Sequence, residues 1–161
     1  MLVLTEAESR SWLEEHGLPN RLRALGHERA RCDFERGWGR RYIYSNILTN
    51  QLISTPDAIA CIDITDWAVW PSIQNMDLFY AYRRSLGEER RLIDAHFHVF
   101  AAHEANAMRN LLHLALISLF DAAGASTTSE FKFYASHDEW IELSWYEGAP
   151  WISEMKWFFG K

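Results

Sequence analysis

Apolar residues recur along the chain with two spacings, one typical of helices and the other of strands. Spacings of three and four residues at 43–53 and 104–122 predict two amphipathic helices, the second closed by Gly124. A run of small and β-branched residues at 58–65 predicts a buried strand. These three segments form the framework of the predicted fold.

Capping residues mark further helix boundaries. Thr5, with Glu8 three residues later, is a capping box and predicts a helix over residues 6–16 that Gly17 ends. Asn75 is placed to cap another helix. The other predicted elements are a helix at 75–85, strands at 91–100, 126–135 and 139–147, and a turn at 37–39 between two short strands.

The order strand, helix, strand, helix and hairpin predicts an α+β or α/β fold. We expect a single mixed β-sheet of about four to six strands, with helices packed on it and a C-terminal β-hairpin. No linker divides residues 1–161, so we predict one domain. Its N-terminal part, 1–50, is predicted to be helical or irregular, and 57–147 to form the α/β core.

Hydropathy and cysteine content favour a cytoplasmic protein. The first residues turn polar at once, with no basic segment leading into an apolar run. The longest apolar stretch, residues 111–120, is too short to span a bilayer. Cys32 and Cys61 are the only cysteines, and we expect both to be reduced.

The formal net charge of −6 is unevenly distributed. Residues 121–154 contain seven acidic residues and one basic residue, Lys132. Nucleic acid is therefore not an expected partner, because phosphate binding needs clustered basic side chains. A basic protein is the better candidate, although a net negative charge also serves solubility alone.

Aromatic and acidic residues suggest a protein-binding surface. The chain has eight Trp, nine Phe and six Tyr, and interfaces favour Trp and Tyr. Residues 136–139, Ser-His-Asp-Glu, have the residue types of a catalytic triad, but adjacent residues do not converge as a triad does, so we predict a turn with an acidic tip. The predicted partner-binding residues are Asp66, Trp67, Trp70, His137, Asp138 and Glu139.

Histidines in the predicted strand at 91–100 suggest a metal site as the alternative. His96 and His98 are two residues apart, which places both imidazoles on one face of a strand. The pair resembles the first-strand motif of amidohydrolase barrels, but that fold needs about 250 residues. With His103, and with Glu104 or Asp94, they have suitable chemistry for zinc, and ordinary half-buried histidines are the competing interpretation.

Two carboxylates bracket the end of the predicted strand at 58–65. Asp63 and Asp66 lie where open sheets often place their ligands, and paired carboxylates can serve acid–base chemistry or hold magnesium. Alternatively, Asp66 caps the following turn. No glycine-rich phosphate loop, H-E-x-x-H or calcium loop is present, which favours a protein that is not an enzyme.

Three segments together resemble a group of small uncharacterised bacterial proteins. These are T-D-W-A-V-W-P-S at 65–72, N-M-D-L-F-Y-A-Y-R-R-S-L-G at 75–87, and S-H-D-E at 136–139. Size, acidity and aromatic content are also similar to those of bacterial immunity proteins from toxin–antitoxin pairs. The leading hypothesis is a non-enzymatic immunity protein or inhibitor that neutralises a basic toxin or effector. The other hypotheses are a zinc-dependent, hydrolase-like protein and a small-molecule-binding homodimer.

Overall fold

Seven strands and four helices make up the part of the chain that the computed structural model describes, residues 1–20, 22, 28–33, 37–67 and 73–145. The strands are β1 (Leu2–Leu4), β2 (Glu28–Asp33), β3 (Ile59–Asp66), β4 (Phe97–Ala101), β5 (Asp121–Ser126), β6 (Lys132–Ser136) and β7 (Trp140–Trp145). The helices are α1 (Glu6–Glu15), α2 (Trp38–Leu52), α3 (Ile73–Ser85) and α4 (Ala105–Ile117), and a single 3₁₀ turn spans Ala102–Glu104.

The strands form one sheet in the order β1-β4-β3-β5-β6-β7-β2, and every pairing between described strands is antiparallel. The predicted α+β class, with helices packed on a sheet and a C-terminal hairpin, is confirmed. The sheet has seven strands rather than four to six. β1 and β2 lie within the N-terminal part predicted to be helical or irregular, and β5 begins in the segment predicted to end a helix. β1 and β2 occupy the edges of the sheet.

The two faces of the sheet carry separate apolar clusters. Helices α2, α3 and α4 cover one face, and the large cluster there includes Leu48, Phe79, Leu112 and Phe133. Helix α1 packs on the opposite face through Leu13, in a smaller cluster. Within the described part of the chain, two cavities lie on this second face beside the smaller cluster, and the candidate site lies there.

The predicted capping box, the strand at 58–65 and the hairpin at 136–138 are confirmed. The Thr5 side chain accepts a hydrogen bond from the Glu8 backbone N–H at 3.3 Å, and the Glu8 carboxylate accepts one from the Thr5 N–H at 2.8 Å. The predicted strand at 58–65 is β3, and the hairpin at 136–138 joins β6 to β7.

Several predicted boundaries were wrong. Gly37 caps α2 with φ +127°, a backbone angle that favours glycine, instead of forming a turn between strands. Asn75 lies inside α3, which begins at Ile73. The predicted strand at 91–100 begins only at Phe97, and the one at 126–135 only at Lys132.

The predicted helix over 104–122 ends at Ile117, and the chain then turns into β5. Leu119 takes a positive φ of 56° in this turn, so the reversal needs no glycine. Gly124, predicted to close the helix, instead lies within β5. Asp121 therefore belongs to a strand and not to a helix.

Candidate functional site

Three strand ends meet at one end of the sheet. Asp66 at the end of β3 pairs in register with Asp121 at the start of β5, and a shift in register between Ile64 and Asp66 marks a bulge. Strand β6 pairs with β5 and ends at Ser136, so the β6–β7 turn arrives at the same place. Antiparallel pairing thus brings together residues that are far apart in sequence.

Asp121 is the centre of this site. The backbone N–H of His137 and the Nδ1–H of its ring both donate to Oδ1 of Asp121, at 2.6 and 2.7 Å. The Tyr134 hydroxyl donates to Oδ2 of the same carboxylate. Asp121 is only 7% exposed, so both of its oxygens are held in fixed directions in a nearly buried position.

Asp66 and Asp138 complete an acidic group around His137. One ligand-type atom from each of Asp66, Asp121 and His137 lies within 4.8 Å of the other two. Oδ1 of Asp138 lies 3.5 Å from Nε2 of His137, and the Asp138 side chain is 70% exposed. We call Asp66, Asp121, His137 and Asp138 the acidic end.

The acidic end favours a positive charge. Burial opposes protonation of His137 and is the largest single effect on its pKa, but the Asp121 hydrogen bond and the charges of Asp121, Asp138 and Asp66 together raise that pKa above its usual value. The same carboxylates attract any external cation, such as a lysine, an arginine or a metal ion.

Glu139, the last predicted residue of this turn, faces another direction. Its carboxylate accepts a 2.7 Å hydrogen bond from Arg41 of α2, and Arg41 also donates to the Leu116 carbonyl of α4 at 2.6 Å. Glu139 has a positive φ of 62°. The structure therefore gives it a role in joining the hairpin to the helices.

Trp67 lies beside the acidic end. Its ring stacks on His96, with centroids 6.5 Å apart and planes inclined by 21°. The side chain is half-buried and also packs against the large cluster, so only part of the ring is available to a partner. Trp70 lies outside the described residues.

Two cavities open on the sheet face that α1 partly covers. The larger one, about 590 Å³, lies between α1 and the strands β3 and β4. The smaller one, about 390 Å³, extends over β3, β5 and β6 toward Asp66 and Asp121. Asn20, Asp63 and Thr65 line both cavities.

His96 and Asp63 form a second histidine–carboxylate pair, in the wall of the larger cavity. Nδ1–H of His96 donates to Oδ1 of Asp63 at 2.7 Å. This hydrogen bond is the main reason that the pKa of His96 is raised; burial opposes the rise, and the negative charges of Asp63 and Glu6 add to it. Nε2 of His96 has no hydrogen-bond partner within the described part of the chain.

The predicted zinc ligands are not brought together. His98 is fully buried, and Nε2 of its ring accepts a hydrogen bond from Arg83 at 3.1 Å. Glu104 accepts from the Met1 amine and from the Ala101 N–H, and His103 is exposed. Among the described residues, the cluster of three or more possible ligands is Asp66, Asp121 and His137, and not the set predicted around His96.

Sequence reasoning found Asp63, Asp66, His137 and Asp138 but missed Asp121. Apolar residues recur with helical spacing up to Phe120, and this pattern predicts that Asp121 lies in the last turn of a helix. Ala122, Ala123 and Ala125 have low strand propensity and gave no signal of β5. Only the pairing with β3 and β6 identifies Asp121 as the centre of the site.

A scan against protein-family models and searches of curated proteins and of solved structures found no match to this chain. Within the described residues, no helix combines the length and apolar character needed to cross a membrane.

Proposed function

We propose that this protein is a non-enzymatic binding module that recognises a basic surface of another protein through its acidic end. We infer that it acts as an immunity protein, which binds a toxin and covers its surface. The main support for this proposal is that Asp66, Asp121 and His137 lie close together, with exposed Asp138 beside them.

The charge balance of the acidic end supports this proposal. It has three carboxylates and one imidazole, and Asp121 is fixed by hydrogen bonds through both of its oxygens. A preorganised carboxylate loses little side-chain entropy when it pairs with an arginine or lysine. Charges of one sign at the rim also accelerate the approach of a partner of opposite charge.

Trp67 adds an apolar component next to these charges. Half-buried aromatic side chains beside charged rims are common at the centres of protein interfaces. Because Trp67 is held by its stack on His96, its exposed edge offers a fixed surface to a partner.

A capture experiment with paired variants tests the proposal. The wild-type protein is immobilised beside the double variant Asp66→Asn/Asp138→Asn and exposed to lysate of the native host. We expect the wild type to retain one stoichiometric basic protein that high salt releases. The double variant should bind the purified partner at least about tenfold more weakly, because two attractive charges are lost.

The matched control is the double variant Asp57→Asn/Glu130→Gln. Asp57 precedes β3 and Glu130 precedes β6, so both exposed carboxylates lie at the opposite end of the sheet, roughly 25 Å away along the strands. The control removes the same charge and should retain the partner. Equal retention by all three proteins, or no stoichiometric partner, contradicts the proposal.

Metal binding is the second candidate, and the observation that favours it is the same three-residue cluster. One imidazole nitrogen and two carboxylate oxygens are suitable ligands for zinc. This candidate predicts about one metal ion per chain in elemental analysis of tag-free protein, lost in His137→Asn and retained in His103→Asn. A metal content well below one ion per chain excludes it.

A further inference from the structure

The two cavities lie side by side on the sheet face that α1 partly covers. Asn20, Asp63 and Thr65 line both of them, and we call the two cavities together the groove. The groove begins beside α1, passes over β3 and ends against β5 and β6. Crossing from β4 to β6 covers roughly 14 Å, about the length of four extended residues.

Carboxylates dominate the charge of this groove. Among the described residues that line it are four carboxylates and one guanidinium, that of Arg10, so these residues sum to a formal charge of −3 when His96 is neutral. Arg10 is already paired with Glu6 one helical turn away. The four carboxylates are those of Glu6, Asp63, Asp66 and Asp121.

The groove also has an aromatic wall. Trp67 and Phe97 line the larger cavity, and the Trp67 ring is fixed by its stack on His96. A guanidinium is planar, so it stacks flat on aromatic rings and pairs with a carboxylate through two parallel hydrogen bonds. An ammonium is a point charge that makes cation–π contacts but has no planar stacking or bidentate pairing. Carboxylates beside a tryptophan therefore favour arginine over lysine.

We propose that the groove defined by Asp63, Thr65, Trp67 and Asp121 binds an extended, arginine-bearing segment of the partner protein. The inference rests on the proposed function and deepens it, since it states which element of the partner is recognised. Asp63 attracts the segment at the α1 end, and Asp66 and Asp121 attract it at the other end.

His96 makes this binding depend on pH. Of the described charged side chains, Asp63 and Glu6 act on His96, and Arg10 lines the same cavity. Protonation of His96 adds a positive charge to the groove wall, so affinity for a cationic segment falls as the pH decreases through the raised pKa of His96. An Asp63→Asn variant, which replaces the charged acceptor of the His96 hydrogen bond with a neutral amide, shifts this transition to lower pH.

A labelled hexa-arginine peptide tests the inference by fluorescence anisotropy with the full chain. We expect saturable binding to the wild type, tighter than that of hexa-lysine. Thr65→Lys places a positive charge at the junction of the two cavities and should weaken binding about tenfold or more. Because Thr65 is exposed, this substitution is compatible with the fold, which circular dichroism checks.

The control is Asp57→Lys, which makes a larger change of charge at the far end of β3. It should alter hexa-arginine affinity less than about threefold, through long-range charge alone. Equal weakening by Thr65→Lys and Asp57→Lys overturns the inference, because it would show diffuse attraction only. Absence of saturable binding, or preference for hexa-lysine, overturns it as well.

Repeating the capture experiment with Thr65→Lys distinguishes a failure of this inference from a failure of the proposed function. If Thr65→Lys releases the partner together with the peptide, the groove is confirmed as its binding site. If Thr65→Lys retains a partner that Asp66→Asn/Asp138→Asn loses, the acidic end binds protein and the groove inference is wrong. If the wild type binds the peptide specifically but captures no protein, the groove chemistry stands and the proposed function fails.

Discussion

Arg83 and His98 show how one residue's environment decides its chemistry. Arg83 is fully buried and donates hydrogen bonds to the carbonyls of Arg90 and Ala95, both at 2.6 Å, and to Nε2 of His98. Burial, followed by the positive charge of Arg83, lowers the pKa of His98 to about 3. His98 is therefore a neutral hydrogen-bond acceptor in the core, and its Nε2 is not available to a metal.

This arrangement predicts a loss of stability in acid. The pKa of His98 is 6.5 in a model compound and about 3 in the folded chain, so between these values the unfolded state binds one proton more. The free energy of unfolding should fall by about 1.4 kcal/mol per pH unit from this residue as the pH decreases through that window.

Urea unfolding at several pH values between 7 and 4 measures this slope. His98→Gln keeps an acceptor for Arg83 but removes the titrating group, so its slope should be shallower than that of the wild type. The same substitution at exposed His103 should leave the slope in place. A wild-type slope in His98→Gln would show that other groups cause the acid sensitivity.

At the scale of elements, the packing of β5 against its neighbours depends on Gly124. A Cβ atom at this position would lie 2.3 Å from Cε1 of Phe133 on β6 and 3.0 Å from Cδ1 of Leu52 on α2. Both neighbours are fully buried, so neither can move into solvent. The small residue at 124 lets a strand and a helix approach each other closely.

Gly124→Ala should therefore destabilise the protein by about 1–3 kcal/mol, because the added methyl group overpacks the core. The matched control is Gly39→Ala in α2, where no atom lies within 4 Å of the new Cβ. Gly39→Ala should leave stability unchanged or raise it by up to about 1 kcal/mol, as alanine favours helix. Thermal unfolding of the two variants compares them, and equal effects would contradict this account.

For the whole molecule, sheet order predicts a gradient of local stability. Among the described strands, β3 and β5 lie near the centre of the sheet and are each paired on both sides, whereas β1 and β2 are each paired with one neighbour. The described part of β2 carries exposed Arg29, Arg31 and Asp33, charges that discourage pairing with another chain at this edge.

Hydrogen exchange measures this gradient strand by strand. Backbone amides of β3 and β5 should exchange slowest, and those of β1 and β2 fastest, because opening an edge strand breaks one ladder and exposes little apolar surface. Addition of the captured partner should further protect the residues around Asp66 and Asp121 but not those around Asp57. Protection of β2 equal to that of β5 would contradict the observed strand order.

The sequence by itself determined the features that depend on neighbours in the chain. The Thr5–Glu8 capping box, the β-branched strand around Ile62 and the hairpin at His137 each depend on contacts within a few residues. The sequence also indicated an acidic turn with His137 and Asp138, and it indicated Asp66 at the end of a strand, as candidates for binding.

Only the tertiary structure decided which of those candidates act together. Asp66, Asp121 and His137 meet because β3, β5 and β6 are adjacent, and strand adjacency depends on long-range pairing that no local pattern specifies. His96 and His98 are two residues apart, yet one lines a cavity with Asp63 and the other is buried against Arg83. Local spacing supplied the residue types, whereas burial and strand pairing determined their charge, their partners and their access to a ligand.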